Sequence, residues 1–218
     1  MADIFATARQ NMVDSQIRPN KVTDPAILAA MGSLARERFL PAGRAALAYA
    51  DEDVALPNGR VLIEPMVLAR MLQTAQPRAG ERALVVAAGA GYGAAVLAAC
   101  GCRVTALEQD AALVAQARDV LMALAPTVSV VTGPLEAGWA AGAPYDLIVI
   151  EGGVPEIPAS LAGQLRNEGG RLVAVVRGGR TGQAVLAEPT PAGLRAQAVF
   201  DCASPLLPML RPAPVFQF

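Results

Sequence analysis

The segment from residue 83 to residue 108 constrains the fold of this chain more than any other. An aliphatic run is followed by the closely spaced glycines Gly89, Gly91 and Gly93, then by an alanine- and leucine-rich stretch and a second aliphatic run that ends on Glu108. Glycines let the backbone turn sharply and let a ligand approach the start of a helix. An acid at the end of the second strand can accept hydrogen bonds from two ribose hydroxyls. The segment therefore predicts a strand–helix–strand unit that holds a nucleoside-containing cofactor.

The same segment has an alternative interpretation as a membrane span. Residues 83–102 contain no charged side chain, and a run of about 20 apolar residues is long enough to cross a bilayer. The three glycines lie between a strand-like half and a helix-like half, which favours the strand–helix–strand unit. We therefore expect no association with a membrane.

Composition limits the classes of protein that need to be considered. The chain has 218 residues, 54% of them hydrophobic and 17% charged, which is typical of one large domain with a substantial core. The net charge is −1 and no basic run occurs, so we expect no nucleic-acid partner. The chain has no histidine, which excludes histidine-based hydrolases and histidine-ligated metal sites.

The three cysteines indicate the compartment. Cys100, Cys102 and Cys202 are an odd, small set, and the chain begins without the basic and apolar regions of a signal peptide. Both observations favour the reducing cytoplasm. Cys100 and Cys102 lie where a helix gives way to a strand, so we expect buried thiols and no metal site.

The order of predicted elements favours an α/β fold. Residues 1–64 are expected to form a helical N-terminal cap, and residues 65–218 a core that ends in an antiparallel hairpin and a proline-rich tail from Pro205. Strands are predicted at 82–87, 103–108, 128–131, 145–150, 171–176, 183–188 and 194–200. The alternation of strands and helices predicts a doubly wound, seven-stranded, mostly parallel sheet. Ligands of such sheets lie at the carboxyl ends of the strands.

Several further segments follow the pattern of a known family. They are Met12-Val-Asp-Ser-Gln16-Ile17-Arg18, Thr23-Asp24-Pro25, Arg36-Glu-Arg-Phe39-Leu-Pro41, Ala48-Tyr49-Ala-Asp51, Gly91-Tyr92-Gly93-Ala94-Ala95, Tyr145-Asp146 and Gly169-Gly170-Arg171-Leu172-Val173. With these segments the chain resembles the protein-L-isoaspartate O-methyltransferases, which are class I S-adenosylmethionine-dependent enzymes. The resemblance implies a Rossmann-like core, S-adenosylmethionine as cofactor, and methyl transfer to isoaspartyl carboxylates of proteins or peptides as protein repair.

The resemblance also implies a set of site residues. The cofactor-binding positions are Ala87, Gly89, Ala90, Gly91, Glu108, Gln109, Gly133 and Leu135, and the substrate-binding positions are Ile63, Glu64 and Glu151. No catalytic residue is singled out, because methyl transfer to a carboxylate needs mainly alignment of the two reactants. The oligomeric state is left open.

The chain departs from the family pattern in the same loops. Val85 stands where the family has an acid, Ala87 where it has a glycine, and Pro134 where it has an aspartate. Glu64 and Glu151 add negative charge where an anionic carboxylate would bind, unless Arg60 offsets it. We therefore expect cofactor affinity and isoaspartyl methylation to be weaker than the resemblance alone implies.

Three hypotheses about function follow. The first is an active carboxyl methyltransferase. The second is a degenerate relative that retains the fold as a binding or regulatory module. The third is a nicotinamide-dependent oxidoreductase, because Gly89, Gly91 and Ala94 with Glu108 downstream also match a dinucleotide-binding fingerprint.

Overall fold

The computed structural model of the protein describes residues 2–178 and 181–210. The strands are β1 Val54–Ala55, β2 Val61–Leu62, β3 Arg82–Val86, β4 Arg103–Glu108, β5 Ser129–Thr132, β6 Leu147–Val154, β7 Arg171–Val176, β8 Gly182–Thr190 and β9 Gly193–Cys202. The helices are α1 Ala2–Met12, α2 Pro25–Ser33, α3 Pro65–Ala75, α4 Tyr92–Ala99, α5 Ala111–Leu124 and the single turn α6 Ala159–Ala162.

Seven strands form one sheet in the order β5-β4-β3-β6-β7-β8-β9. The first five of these are parallel, and β8 and β9 complete the sheet as an antiparallel pair. The predicted seven-stranded, mostly parallel sheet with a C-terminal hairpin is therefore confirmed. Segment 83–102 forms a strand, a loop and a helix, and no helix in the described part of the chain is long and apolar enough to cross a membrane.

The strand order places the candidate site. Strand β3 lies between β4 and β6, so the chain winds away from it in both directions. Val86 is level with Leu107 on one side and Ile150 on the other. The residues that follow these, including Glu108 and Glu151, therefore lie next to each other at the carboxyl edge of the sheet, where open sheets of this type bind ligands.

Strand β6 is longer than the sequence predicts. The expected strand at 145–150 was to be followed by a loop, whereas β6 continues to Val154 and includes Glu151. The extension has a distant partner: the N–H of Gly153 donates to the carbonyl of Pro205 (2.8 Å), and the N–H of Leu207 donates to the carbonyl of Gly153 (2.8 Å). The expectation of a loop at Glu151 was wrong because this pairing cannot be read from the local sequence. The predicted tail is described to residue 210, and 211–218 lie outside the described residues.

The N-terminal segment is mostly helical. Asp24 caps α2 by accepting from the N–H groups of Ala26 (2.8 Å) and Ile27 (3.1 Å), and Pro25 occupies the first turn, as expected for a helix start. The sequence did not predict the small antiparallel hairpin in which β1 pairs with β2. This hairpin reaches the carboxyl edge of the main sheet.

The apolar core has two parts, one on each face of the sheet. Alternate residues of β3 enter different parts, with Val85 on one face and Leu84 and Val86 on the other. The first part joins the N-terminal helices to α3, α4 and α5, and the second lies beneath α6 and the segment after β9. The N-terminal segment thus shares its core with the first face of the sheet.

Candidate functional site

The carboxylate of Glu108, at the end of β4, is buried, and both of its oxygens accept hydrogen bonds. Its Oε1 accepts from the backbone N–H groups of Gln109 (2.7 Å) and Asp110 (3.0 Å), and its Oε2 accepts from the N–H of Gly89 (3.0 Å). The guanidinium of Arg60 donates from Nη2 to Oε1 at 2.5 Å. A carboxylate offers about four lone-pair positions, two on each oxygen, so Oε1 with its three donors has none to spare and Oε2 with its single donor keeps one.

The glycine loop between β3 and α4 is folded against β4. Gly89 and Gly91 have φ values of 56° and 94°, which glycine adopts without strain. Ala87 has a φ of 62°, where a β-carbon costs about 1–2 kcal/mol. The N–H of Ala88 donates to the carbonyl of Leu107 (3.1 Å), which ties the loop to the neighbouring strand. The residue that replaces the expected glycine therefore retains the glycine conformation.

Arg60 reaches Glu108 from the turn of the β1–β2 hairpin. Asn58 and Gly59 in that turn have φ values of 53° and 72°, a conformation that asparagine and glycine tolerate. The N–H of Leu56 donates to the carbonyl of Arg60 (2.8 Å), which closes the turn. The side chain of Leu56 covers the glycine loop, since a methyl group added to Gly89 would lie 3.2 Å from Leu56 Cδ1.

The Arg60 guanidinium is buried with incomplete hydrogen bonding. Its side chain is 2% exposed, and its Nε and Nη1 atoms have no hydrogen-bond partner among the described residues. Burial lowers the pKa of Arg60, against the opposing effect of the charges of Glu108 and Asp110. A buried cation with unpaired donors pays a desolvation cost that one ion pair offsets only in part.

A second contact holds the same turn to the start of α5. The side-chain amide of Asn58 donates to Asp110 Oδ2. Asp110 is also the cap of α5, because its Oδ1 accepts from the N–H groups of Ala112 (2.9 Å) and Leu113 (3.0 Å). The turn is thus attached once inside the protein and once at its surface.

Arg36 forms a second buried cationic centre. Its Nε donates to the carbonyl of Ala48 (2.7 Å), its Nη2 donates to the carbonyl of Ile63 (2.6 Å), and its guanidinium lies 4.7 Å from the centre of the Tyr92 ring. The stacking on the ring adds a cation–π interaction. Ile63, predicted to bind substrate, is buried and contributes its carbonyl to Arg36 rather than a side chain to an open surface.

Glu151 lies inside β6 rather than on a loop, and 5% of its surface is exposed. Burial raises the pKa of its carboxyl from 4.5 to about 8, with Glu108 adding to the shift and Arg36 opposing it. The carboxyl lies against the start of α4, since a methyl group added to Gly93 would overlap Glu151 Oε1. Burial and a nearby carboxylate are the conditions that keep such a group protonated near neutral pH.

Glu64 lies in an acidic environment. Burial raises the pKa of its carboxyl to about 7, and the charges of Asp51 and Asp53 act in the same direction. Asp53 accepts from the backbone N–H of Glu64 (2.8 Å). Arg60 does not offset the charges of Glu64 and Glu151, because it pairs with Glu108 instead.

Some of the cofactor-binding positions predicted from the sequence lie close together in the structure, and others lie apart. Backbone hydrogen bonds link Gly89 and Gln109 to the Glu108 carboxylate, and the N–H of Gly133 donates to the Glu108 carbonyl (3.2 Å). Ala90 is buried in the first part of the core, whereas Leu135 is buried in the second, on the other face of the sheet.

Several residues at the carboxyl edge of the sheet were not predicted from the sequence as site residues. They are Leu56, Asn58 and Arg36, together with Arg60 in its pairing with Glu108. One signal was present: Arg60 is followed directly by Val61-Leu62-Ile63, and a charge beside an apolar run is a candidate for a buried ion pair.

Comparison with known proteins decides the family. The sequence model of Protein-L-isoaspartate(D-aspartate) O-methyltransferase matches residues 7–192. The protein-L-isoaspartate O-methyltransferase 1 of Rhodopseudomonas palustris is 42% identical over 183 residues, which cover 84% of this chain and 74% of the relative. The corresponding protein of Methylorubrum populi is 43% identical over 176 residues, covering 80% and 82%. The chain belongs to this family.

Solved structures agree on the fold of this family member. A protein-L-isoaspartate O-methyltransferase superimposes with a TM-score of 0.78 at 22% identity, over 91% of this chain and 65% of that chain. A Plasmodium falciparum protein given the same family name, solved in complex with S-adenosyl-L-homocysteine, superimposes with a TM-score of 0.79 at 17% identity, over 92% and 98%. At these identities the likeness shows the Rossmann-like class I methyltransferase fold.

Two residues that depart from the loop pattern expected for the family differ in their surroundings. Val85, where the pattern has an acid, is fully buried in the first part of the core. Pro134, where the pattern has an aspartate, is exposed after β5. An acid at the first position would be buried among apolar side chains, which is costly without a partner. Valine at position 85 therefore suits the apolar surroundings of this position better than an acid would.

Proposed function

We propose that the protein is a protein carboxyl methyltransferase that acts on isoaspartyl residues of proteins or peptides, with S-adenosylmethionine as the methyl donor. The observation that carries this proposal is the family match over residues 7–192, with relatives of that name 42% and 43% identical to the chain. The position of Glu108 and the glycine loop at the carboxyl edge of a parallel sheet supports it.

The proposed roles of the site residues follow from their positions. Residues of the glycine loop, from Ala87 to Gly91, would lie along the cofactor, and Glu108 would accept from its ribose hydroxyls. On the substrate side, Glu64 and Glu151 have raised pKa values of about 7 and about 8. In their neutral forms they would not repel an anionic substrate carboxylate, so the two acids are compatible with such a substrate below these pKa values.

The residues as the structure places them do not fit the cofactor. Arg60 holds the carboxylate that would bind the ribose, at 2.5 Å, and Leu56 covers Gly89. The buried Val85 offers no charge to the amino-acid end of the cofactor. The hairpin residues would have to move before an adenosyl ligand could reach Glu108.

The test of the proposed function is methyl transfer to a defined peptide. The full chain is incubated with S-adenosylmethionine labelled in its methyl group and with an isoaspartyl peptide, and the matched control is the same peptide with a normal aspartyl residue. We expect label in the isoaspartyl peptide alone, as an ester that releases methanol in base. Equal labelling of the two peptides, or none under conditions in which an active relative labels its substrate, would contradict the proposal.

A second candidate function is a binding or regulatory module that retains the fold without isoaspartyl methylation. The specific observation that favours it is the buried Arg60–Glu108 pair, which occupies the ribose position with the chain's own side chain. This candidate predicts no methyl transfer to either peptide by the folded wild type.

The setting of the proposed reaction is the cytoplasm, with protein or peptide substrates and without nucleic acid or membrane. In the described part of the chain Cys100, Cys102 and Cys202 are all free thiols. Burial raises the pKa of each thiol, which makes these cysteines poorly reactive. Free, unreactive thiols are compatible with a reducing compartment.

A further inference from the structure

The buried Arg60–Glu108 pair occupies the carboxylate that is expected to bind the ribose of the cofactor. The inference rests on the proposed function, because it concerns the adenosyl ligand of that site. Three observations support it: the acceptor capacity of Glu108, the burial of Arg60 and the attachment of the hairpin turn.

The first observation is competition for one carboxylate. A ribose that binds Glu108 needs acceptor positions for its two hydroxyls. Arg60 and the backbone N–H groups of Gln109 and Asp110 fill Oε1, and the N–H of Gly89 takes one of the two positions of Oε2, so one position is left. The three backbone donors belong to the loop and to the start of α5, so they stay in place whenever the fold does. Arg60 is the donor on a separate hairpin, and it is the one that a ribose would replace.

The second observation is that the closed arrangement is not fully satisfied. Arg60 Nε and Nη1 find no hydrogen-bond partner in the described part of the chain, although the side chain is 2% exposed. In water these donors would be hydrated, so their burial in the closed state costs free energy. The closed arrangement is held by the Arg60–Glu108 pair and the Asn58–Asp110 contact and opposed by the unpaired donors, so it can open without unfolding the protein.

The third observation is that the residues of the turn are joined to one another. Leu56 and Arg60 are joined by a backbone hydrogen bond of 2.8 Å, and Leu56 covers Gly89 while Arg60 covers Glu108. Displacement of the Arg60 side chain together with this turn would therefore uncover both the glycine loop and the acid. Asn58 attaches the same turn to Asp110 at the surface.

We propose that Arg60 is an internal competitor for the ribose of the adenosyl ligand: its ion pair with Glu108 closes the cofactor position, and binding requires the 56–60 turn to release Glu108. Arg60 thereby sets the affinity of the site for the adenosyl ligand. It does so by occupying the acceptor and not by touching the reacting atoms.

The experiment measures ligand binding by calorimetry, without any turnover. S-adenosylhomocysteine is titrated into wild type and into Arg60→Met, which retains an apolar side chain of similar length but removes the charge. We expect Arg60→Met to bind at least tenfold more tightly, a difference of about 1.4 kcal/mol. The matched control is Arg166→Met, which removes an arginine from the surface pair with Asp146 and should bind like wild type.

Ribose selectivity gives a second readout. Adenosine and 2′,3′-dideoxyadenosine differ only in the two hydroxyls that Glu108 would accept. Arg60→Met should prefer adenosine by at least tenfold, because its Glu108 is free to accept from the two hydroxyls. Equal binding of the two ligands by folded Arg60→Met would overturn the proposal.

A further variant covers the case in which Arg60→Met fails to fold because Glu108 loses its partner. Arg60→Gln removes the charge and retains an amide that can donate a neutral hydrogen bond to Glu108, whose carboxylate stays in place as the ribose acceptor. This variant should still bind S-adenosylhomocysteine more tightly than wild type. The proposal is overturned if each folded variant binds no more tightly than wild type, including the case of no binding by any of them.

These outcomes are separate from those of the methyl-transfer assay. A wild type that methylates isoaspartyl peptide and gains nothing from Arg60→Met retains the proposed function and loses this inference. A wild type that methylates nothing, with tight binding by Arg60→Met, retains the inference and loses the activity.

Discussion

Ala87 adopts a backbone conformation that is favourable for glycine and unfavourable for alanine. Its φ of 62° is favourable for glycine and strained for alanine by about 1–2 kcal/mol. We predict that Ala87→Gly changes the free energy of unfolding little, because relief of strain offsets the lost methyl burial of about 0.8 kcal/mol and the entropy of the unfolded glycine chain. Urea unfolding of both proteins measures this.

The matched control is its neighbour Ala88, which is equally buried but does not have a positive φ. Ala88→Gly loses the same methyl group and gains the same chain entropy without relief of strain. It should destabilise the protein by at least about 1 kcal/mol more than Ala87→Gly. An equal loss at both positions would mean that Ala87 is not strained.

Glu151 should make stability depend on pH. Burial raises the pKa of its carboxyl from 4.5 to about 8, so the folded protein holds this proton more firmly than the unfolded chain. Its contribution to stability is therefore complete below pH 4.5 and is lost progressively as the pH rises to about 8. Each unit of pKa difference corresponds to about 1.4 kcal/mol.

The measurement compares wild type with Glu151→Gln, which mimics the protonated carboxyl, in urea unfolding between pH 5.5 and 7.5. Over those two units wild type should lose about 1–3 kcal/mol more than the variant. The variant retains Glu64, so effects of that carboxyl cancel. Glu136→Gln, at an exposed carboxylate, should follow the wild-type profile. Parallel profiles of wild type and Glu151→Gln would show that Glu151 is ionised throughout.

At the scale of elements, the start of α5 stabilises two structures at once. Asp110 caps the helix through two backbone hydrogen bonds and also accepts from Asn58 in the hairpin turn. We predict that Asp110→Ala costs about 1–2 kcal/mol in unfolding and also speeds amide hydrogen exchange across the hairpin, residues 54–62. Urea unfolding and exchange with mass spectrometry measure the two effects.

Asp24 provides the comparison, because it caps α2 in the same way, through Ala26 and Ile27. Asp24→Ala should cost a similar free energy and leave exchange in the hairpin unchanged. If both variants loosen residues 54–62 equally, the hairpin responds to global stability and not to its contact with α5.

The elements also show which parts of the fold the sequence could predict. Strands β3 and β4 and helix α4 follow from local runs of side chains, and their prediction was confirmed: β4 has the predicted ends, and β3 ends one residue earlier than predicted. The hairpin turn at Arg60 was not predicted to pair with Glu108, since 48 residues separate the two charges and no local period relates them. The extension of β6 was missed for the same reason, as its partner follows β9.

At the scale of the whole molecule, the N-terminal segment and the sheet share one apolar core. Met12, Ile27, Met31 and Phe39 are buried in the same part of the core as Val85. We predict that the full chain unfolds in a single transition, and that residues 65–218 alone do not fold cooperatively, because they would expose the apolar surface of α3 and α4. Thermal unfolding followed by circular dichroism checks both.

A cooperative transition of the 65–218 fragment, with native-like near-ultraviolet dichroism, would contradict this prediction. It would indicate that residues 1–64 are an appended unit rather than part of the core. The sequence suggested the boundary from its turns and prolines, which mark where elements end but carry no information on which apolar faces meet.

The contact between Gly93 and Glu151 has a consequence for how such sequences can diverge. No side chain fits at position 93 while a carboxyl of this length lies at position 151, since even a methyl group would overlap Glu151 Oε1. A substitution that places a larger residue at position 93 is therefore tolerated only after residue 151 has been replaced by a shorter one. In an alignment of relatives, the pairing of a large residue at the first position with a long acid at the second should be missing, whereas each alone should occur.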